Sequence, residues 1–570
     1  MPLADLGEIS WVLLTSVALF VLVPFCMAGR SEDRIQDRTA AAVLRMPRVL
    51  LITTVVVHAL SFVKLLNTFT LLLIYCLLLL TPFLIALRRA SRAPAAVLAQ
   101  WALLRLIRVR EEGDTVAWFR NSSSAFRQRI VSGAKLAYRR AGTHAPVLAA
   151  AAVVLLIIVI RQVAPGFHDL RLSHPDYYDV LLRTNQILFN RPRSGAPTIF
   201  TGILAGVVTI SSVDSLQVAH IYITLLNVML GTVVGIAVAL CTRSPAFALL
   251  AAYIASSRNA LTELAAKLGV PLGSSPPVHP YVPPDVVLGL CCTVLALIGF
   301  SRLRSQYRTA VLVDTGCCIV LAFWASTVIG ALATSTMVAA LIPMRRSALL
   351  WGGGWSALFL VFRHTQIRGT PVSIVVVVAT FALTLTCFQL LKAAAHHSAE
   401  FVAVAVLLVI LVSETSSAAA NKPWYVEHDA APRTLLRAKN QFHRASWMVV
   451  GPVEQLAESY GTGYYEDLAA FVSKNAMSAT EPRFRLSGYP PHVLVYIEKR
   501  PLPAFEEDRE DLPYDVITDP TYRNYRSPGG RASLEFEALL VCERYRTTHS
   551  GASIYYEDES LRVYHFESRP

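Results

Sequence analysis

The chain has 570 residues, of which 54% are hydrophobic and 16% charged, and its mean hydropathy of +0.48 is that of a membrane-embedded protein rather than an ordinary soluble one. Its net charge of +13 calls for no nucleic-acid partner, because basic loops facing anionic lipid account for it. None of the nine cysteines makes the C-x-x-C spacing of a metal or redox site; the adjacent pairs Cys291-Cys292 and Cys317-Cys318 read as small packing residues.

Apolar runs at residues 11–27, 49–65, 69–87, 147–160, 218–240, 246–255, 286–300, 310–329, 337–342, 349–362, 372–391 and 402–412 predict a polytopic α-helical membrane protein of about 12 transmembrane helices. The first run reads as a retained helix: MPLADLGE carries no Lys or Arg, and Pro24 to Cys26 lacks the small residues of a cleavage site. Basic stretches at 30–48, 88–140, 302–308 and 345–346 alternate onto one face, expected to be cytoplasmic, although Arg363 and Arg368 fall opposite. The alternation puts 166–212, 256–284 and everything after about residue 413 outside. Within the long basic segment, VLAQWALLRLIRV at 97–109 reads as an interfacial amphipathic helix, with Arg105, Arg108, Arg110 and the cluster from Lys135 to Arg140 near lipid headgroups.

The segment 165–190, PGFHDLRLSHPDYYDVLLRTNQILFN, concentrates ionisable groups directly behind a hydrophobic run. Asp169 is expected at the membrane boundary, where its carboxylate suits a general base or a metal ligand; His168 and Arg171 flank it. His174-Pro175 breaks the chain, and Asp176 then caps a helix running to Asn190, on which Asp179 and Arg183 are spaced to pair. Asp314, early in the 310–329 run, reads as an intramembrane carboxylate with Arg308 as its nearest partner.

From Asn421 onward there are 18 Lys plus Arg against 22 Asp plus Glu, a net charge of −4 that leaves +17 on the remainder. This tail is expected to be a water-soluble α+β domain. Helices are predicted at 431–441, 452–460 and 534–547, strands at 446–450 and 492–497, and a hairpin across 553–556 and 561–566. Its one cysteine, Cys542, excludes an internal disulfide. Trp447, Tyr464 and Tyr465 offer either core packing or a platform that stacks on sugar rings.

A span, an external loop opening with Asp169, a helix of the form HPDYYDVLLRTNQIL, a short apolar helix at 198–210 and the run SVDSLQVAHIYITLLNVMLGTVVGIAVAL resemble the amino-terminal module of GT-C class integral-membrane glycosyltransferases. That class includes oligosaccharyltransferases and protein O-mannosyltransferases, and the similarity covers roughly 145–412. It implies transfer of a sugar or glycan from a polyprenyl-phosphate-linked donor to an acceptor at the external face, with Asp169 at the position of the family's catalytic aspartate. His168, Arg171, His174, Asp176, Arg183, Trp447, Tyr464 and Tyr465 become the candidate substrate-binding residues. The first loop departs from the family in lacking a paired acidic motif, and the tail lacks Trp-Trp-Asp, so the resemblance assigns no metal ligand and leaves a divalent metal open.

The resulting division is N-terminal transmembrane helices at 1–90, a basic cytoplasmic segment at 91–144, a GT-C-like module at 145–413 with external loop 165–212, and the soluble domain at 414–570. The partners implied are the lipid-linked donor and the bilayer, in a bacterial inner membrane. The competing reading is a non-catalytic membrane component that binds or scaffolds lipid-linked polysaccharide during assembly or export.

Overall fold

The computed structural model describes residues 3–24, 35–77, 171–172, 176–190, 198–242, 245–256, 284–305, 309–325, 427–443, 445–451, 463–475, 486, 488–500 and 528–567. They form a helical body followed by a C-terminal domain built on one sheet.

The body comprises α1 (Leu3–Val17), α2 (Ile35–Phe62), α3 (Thr68–Leu77), α4 (Asp176–Leu188), α5 (Ile199–Ser211), α6 (Ser215–Thr242), α7 (Pro245–Ser256), α8 (Pro284–Ser305) and α9 (Thr309–Ala325). At its centre lies α5, apolar all round, with Ile199, Phe200, Ile203, Leu204, Ala205 and Val207 buried. Gly202 and Gly206, one turn apart, let α5 approach α2 closely: a Cβ at Gly202 would stand 3.0 Å from Thr54, and one at Gly206 would stand 3.1 Å from Thr53. A helix so enclosed must satisfy its terminal backbone groups through its neighbours. The Thr198 side chain accepts from the Thr201 amide at 3.4 Å, Asp285 of α8 accepts from the Phe200 amide at 2.9 Å, and the Trp11 indole donates to the Ser211 carbonyl at 3.1 Å.

The expected set of about twelve crossings is overturned. Among the described residues, two helical stretches are long and apolar enough to cross a membrane, Val43–Phe62 with 20 residues and Ser215–Val238 with 24. The other apolar helical stretches among the described residues have 10–17 residues. The described parts of several of these runs pack into one cluster, in which α6 lies against α7 and α8 against α9. The runs at 147–160, 337–342, 349–362, 372–391 and 402–412, the basic segment at 91–144 and the second external loop lie outside the described residues.

Asp314 meets partners that the sequence reading did not name. It is 3% exposed, and its carboxylate meets Arg48 of α2 at 2.6 Å and Arg45 at 3.8 Å. Arg308 lies outside the described residues; the packing of α9 against α2 brings the Arg45 and Arg48 guanidinium groups to the carboxylate.

The C-terminal domain contains α10 (Ala430–Gln441), β1 (Trp447–Gly451), β2 (Tyr464–Asp467), α11 (Leu468–Asn475), β3 (His492–Glu498), α12 (Pro528–Thr548), β4 (Ala552–Glu557) and β5 (Leu561–Glu567). The sheet order is β2-β1-β3-β5-β4. β1 runs parallel to both β2 and β3, and β5 runs antiparallel to β3 and β4. Alternation along the strands sends Val493, Val495 and Ile497 to one face, against Phe471 of α11 and Val541 and Tyr545 of α12. Leu494 and Tyr496 go to the other face with Trp447 and Val449, against Leu435 and Ala438 of α10. Helices therefore cover both faces of a mixed sheet, where an α+β domain would gather them on one. The hairpin expected at the end of the chain is present, with a register shift between Ile554 and Tyr556.

Candidate functional site

The helix read from YYDVLLRTNQIL forms as α4 because its apolar and small polar residues recur on one face. Tyr177, Tyr178, Val180, Leu181, Thr184, Asn185 and Ile187 are buried. On its outer face Asp179 and Arg183 pair at 2.8 Å, as the spacing predicts, and both are about half exposed. Such a pair is worth roughly 0.3–0.5 kcal/mol, and it occupies the Arg183 guanidinium with a carboxylate rather than leaving it dedicated to a phosphate. The body holds α4 by hydrogen bonds at its far end: Ser61 of α2 donates to the Ile187 carbonyl at 2.8 Å, and Ser215 of α6 donates to Asn185 at 2.6 Å.

At its near end α4 meets the C-terminal domain. The Tyr178 hydroxyl donates to the carboxylate of Glu427 and accepts the Leu172 amide at 3.2 Å. Arg171 donates to the Glu427 carbonyl oxygen at 3.5 Å. Glu427 is fully buried, and Tyr178 and Leu172 are 3% and 1% exposed. Beside Glu427, His428 donates through Nε2 to the Arg500 carbonyl at 3.3 Å and lies 4.0 Å from the Glu498 carboxylate at the carboxyl end of β3. The two halves of the chain touch again where Lys439 of α10 reaches Asp214 at 3.5 Å and Leu436 packs on the helical core.

Two polar groups converge on the amino terminus of α5. His58 Nε2 donates to the Thr198 carbonyl at 3.0 Å, while Asp285 holds the Phe200 amide. Both His58 and Asp285 thus serve the end of a buried helix.

Of the sequence-derived candidates, Asp169, His168 and His174 lie outside the described residues; Asp176 begins α4, but its side chain is not described. Arg171 is at the junction with Glu427. Trp447 is corrected from a possible sugar platform to core: it is fully buried, with Gly463, just before the neighbouring strand, against the face of its ring. A ring in that position has no face left for a ligand. Tyr464 on β2 is 54% exposed, and the Tyr465 hydroxyl donates to the Gly451 carbonyl at 2.8 Å. The structure therefore does not bring these three rings together with α4.

Partly exposed rings gather elsewhere in the domain. Phe442 stacks on His492 with centroids 4.5 Å apart, His492 and His565 share a hydrogen bond of 3.1 Å, and Tyr555 lies edge-on to His565. Burial and the neighbouring His492 depress the pKa of His565 below its usual value. Among the described residues, no group of three or more His, Cys, Asp or Glu side chains is arranged to hold a metal ion.

Sequence reasoning passed over Glu427 and Tyr178. The triplet Glu427-His428-Asp429 follows the apolar part of the chain, which was a usable signal. Tyr178 was visible only as one position of an amphipathic helix. Compared with models of known protein families, with curated proteins and with solved structures, the chain matches none.

Proposed function

We propose that the chain is a glycosyltransferase that moves a sugar or glycan from a polyprenyl-phosphate-linked donor to an acceptor at a membrane face. The observation that carries this reading is the junction of Arg171, Leu172, Tyr178 and Glu427, which ties the residues just after Asp169 to both the apolar body and the C-terminal domain. A lipid-linked donor must present its phosphate at an apolar boundary while its acceptor arrives from water, and the junction spans those two environments. Large apolar side chains exposed on the body, among them Trp11, Leu14, Phe62, Phe69 and Phe323, supply a surface suited to lipid.

In the proposed step the Asp169 carboxylate takes the proton of an acceptor hydroxyl, whose oxygen bonds to the anomeric carbon. The bond from that carbon to the phosphate oxygen breaks, and the polyprenyl phosphate leaves with the electron pair. His168 and Arg171, one residue before and two after Asp169 in the sequence, are the candidates to stabilise the charge that develops on the leaving phosphate.

The test is Asp169→Asn in the full chain, assayed for transfer from a polyprenyl-phosphate-linked sugar in lipid vesicles. Loss of at least about a hundredfold in rate is expected if a general base is removed. Undiminished transfer by a folded Asp169→Asn protein would sink the role of Asp169. Saturable binding of the donor without turnover by the unsubstituted chain would instead favour a component that binds or scaffolds lipid-linked polysaccharide.

A further inference from the structure

We propose that His492 of β3 and His565 of β5 form a binding site for one divalent transition-metal ion of the zinc type, with water completing its coordination. The inference stands apart from the glycosyltransferase reading. His492 begins β3, whereas Glu498 and the α4 junction lie at its other end, about 20 Å away along the strand.

Strand register brings the two residues together. β3 and β5 pair antiparallel with Leu494 opposite His565 and His492 opposite Glu567, so the histidines are diagonal neighbours on the face that packs against α10. Their rings close the diagonal: Nδ1 of His492 and Nε2 of His565 are 3.1 Å apart. At that distance one ring donates a hydrogen bond and the other accepts it. The same distance is the bite of an ion, because two nitrogens held at about 2.0–2.1 Å from one metal, about 95–110° apart, stand about 3.0–3.4 Å from each other. An ion can therefore take the place of the shared proton through small ring rotations, with the strands left where they are.

Neighbouring side chains hold both rings ready. Phe442, the C-cap of α10, stacks on His492 with centroids 4.5 Å apart and lies 5.2 Å from the His565 ring. Tyr555 of β4 meets His565 edge-on, and its hydroxyl donates to Gln441 at 2.9 Å, which pins that ring too. Ligands oriented before the ion arrives lose less freedom on binding it. Both imidazoles are partly exposed, so an ion and its waters can reach them. Exposed Glu567, opposite His492 and two residues from His565, adds a negative charge that acts on the His565 ring and favours a cation there. Imidazole nitrogen selects zinc, nickel or copper over magnesium and calcium. Among the described residues no third His, Cys, Asp or Glu joins the pair in a metal-holding arrangement. Affinity is accordingly micromolar, weaker than that of a closed four-ligand site.

The test is calorimetric titration of zinc ion alone into the chelator-treated full chain in detergent, above the pH range in which imidazole titrates. Parent, His492→Gln, His565→Gln and His443→Gln chains are compared, the last as an exposed histidine outside the pair. The parent should show a micromolar site that His492→Gln and His565→Gln each weaken at least about tenfold, while His443→Gln stays within about twofold. Zinc should also raise the urea midpoint of the parent and leave those of the two pair variants unmoved, since an ion that binds only the folded sheet stabilises it. Should a pair variant fail to fold, copper(II) loaded one to one on the parent decides: nitrogen hyperfine splitting in its electron paramagnetic resonance spectrum should count two imidazoles. Zinc binding undiminished in either pair variant, binding lost in His443→Gln, or a copper spectrum with fewer than two imidazole nitrogens would each overturn the proposal.

Discussion

Replacing Gly463 by alanine tests the reassignment of Trp447 from ligand platform to core. Gly463 immediately precedes β2 and lies against Trp447 of β1, and a methyl group there would stand 2.8 Å from two carbons of the indole ring and 3.0 Å from a third. Carbon atoms rest at about 3.5–4.0 Å, so roughly 0.5–1 Å of overlap must be relieved at each contact. The ring cannot retreat, because Trp447 is fully buried and shares its cluster with Leu435, Val449 and Leu494. What yields is β2, an edge strand bonded only to β1, at the expense of the parallel pairing from Met448–Tyr464 onward. Overpacking of this kind costs about 1–3 kcal/mol, which corresponds to about 2–4 °C in Tm per kcal/mol for a domain of this size. The assay is urea unfolding of the full chain followed by tryptophan fluorescence. Gly316→Ala serves as the control, since nothing lies within 4 Å of a Cβ there and its position inside α9 favours alanine by up to about 1 kcal/mol. A Gly463→Ala chain that unfolds at the parent midpoint would refute the packing argument and return Trp447 to the list of accessible rings.

Two further outcomes follow from buried charge and from titration. Asp314→Ala should destabilise the helical body by about 3–5 kcal/mol, because it strands the guanidinium groups of Arg45 and Arg48; thermal aggregation in detergent reads this, and an Arg48→Met/Asp314→Leu chain should recover most of the loss. For the C-terminal domain, the depressed pKa of His565 means that the unfolded chain takes up a proton before the folded one does. Stability should accordingly fall as pH drops below about 6.5 and level off below the folded-state pKa, a dependence that His565→Gln flattens in urea midpoints measured across that range. The groups that set it are His492 across the sheet, Glu567 on the same strand, and the Phe442 and Tyr555 rings.

Much of the local structure was legible from periodicity. The helix at 176–188 with its Asp179–Arg183 pair, the short apolar helix after Thr198, the strand HVLVYIE and the terminal hairpin all stand within a few residues of where their patterns put them. These features depend on interactions between residues close in sequence, so the pattern itself contains the information. Apolar run length misled for the opposite reason. A helix enclosed by other helices and one enclosed by lipid need the same side chains, so apolar composition alone does not separate the two.

Composition determined that this chain is unusually apolar and that its acidic tail differs from its basic remainder. Tertiary structure alone decided which groups meet: Asp314 with Arg45 and Arg48, Trp447 with Gly463, and Tyr178 with Glu427. Each joins different helices, strands or halves of the chain, and the energy of such a contact depends on burial and distance. Neither quantity is a property of any one stretch of sequence; both come into being when the C-terminal domain packs against α4 and the helices of the body pack against one another.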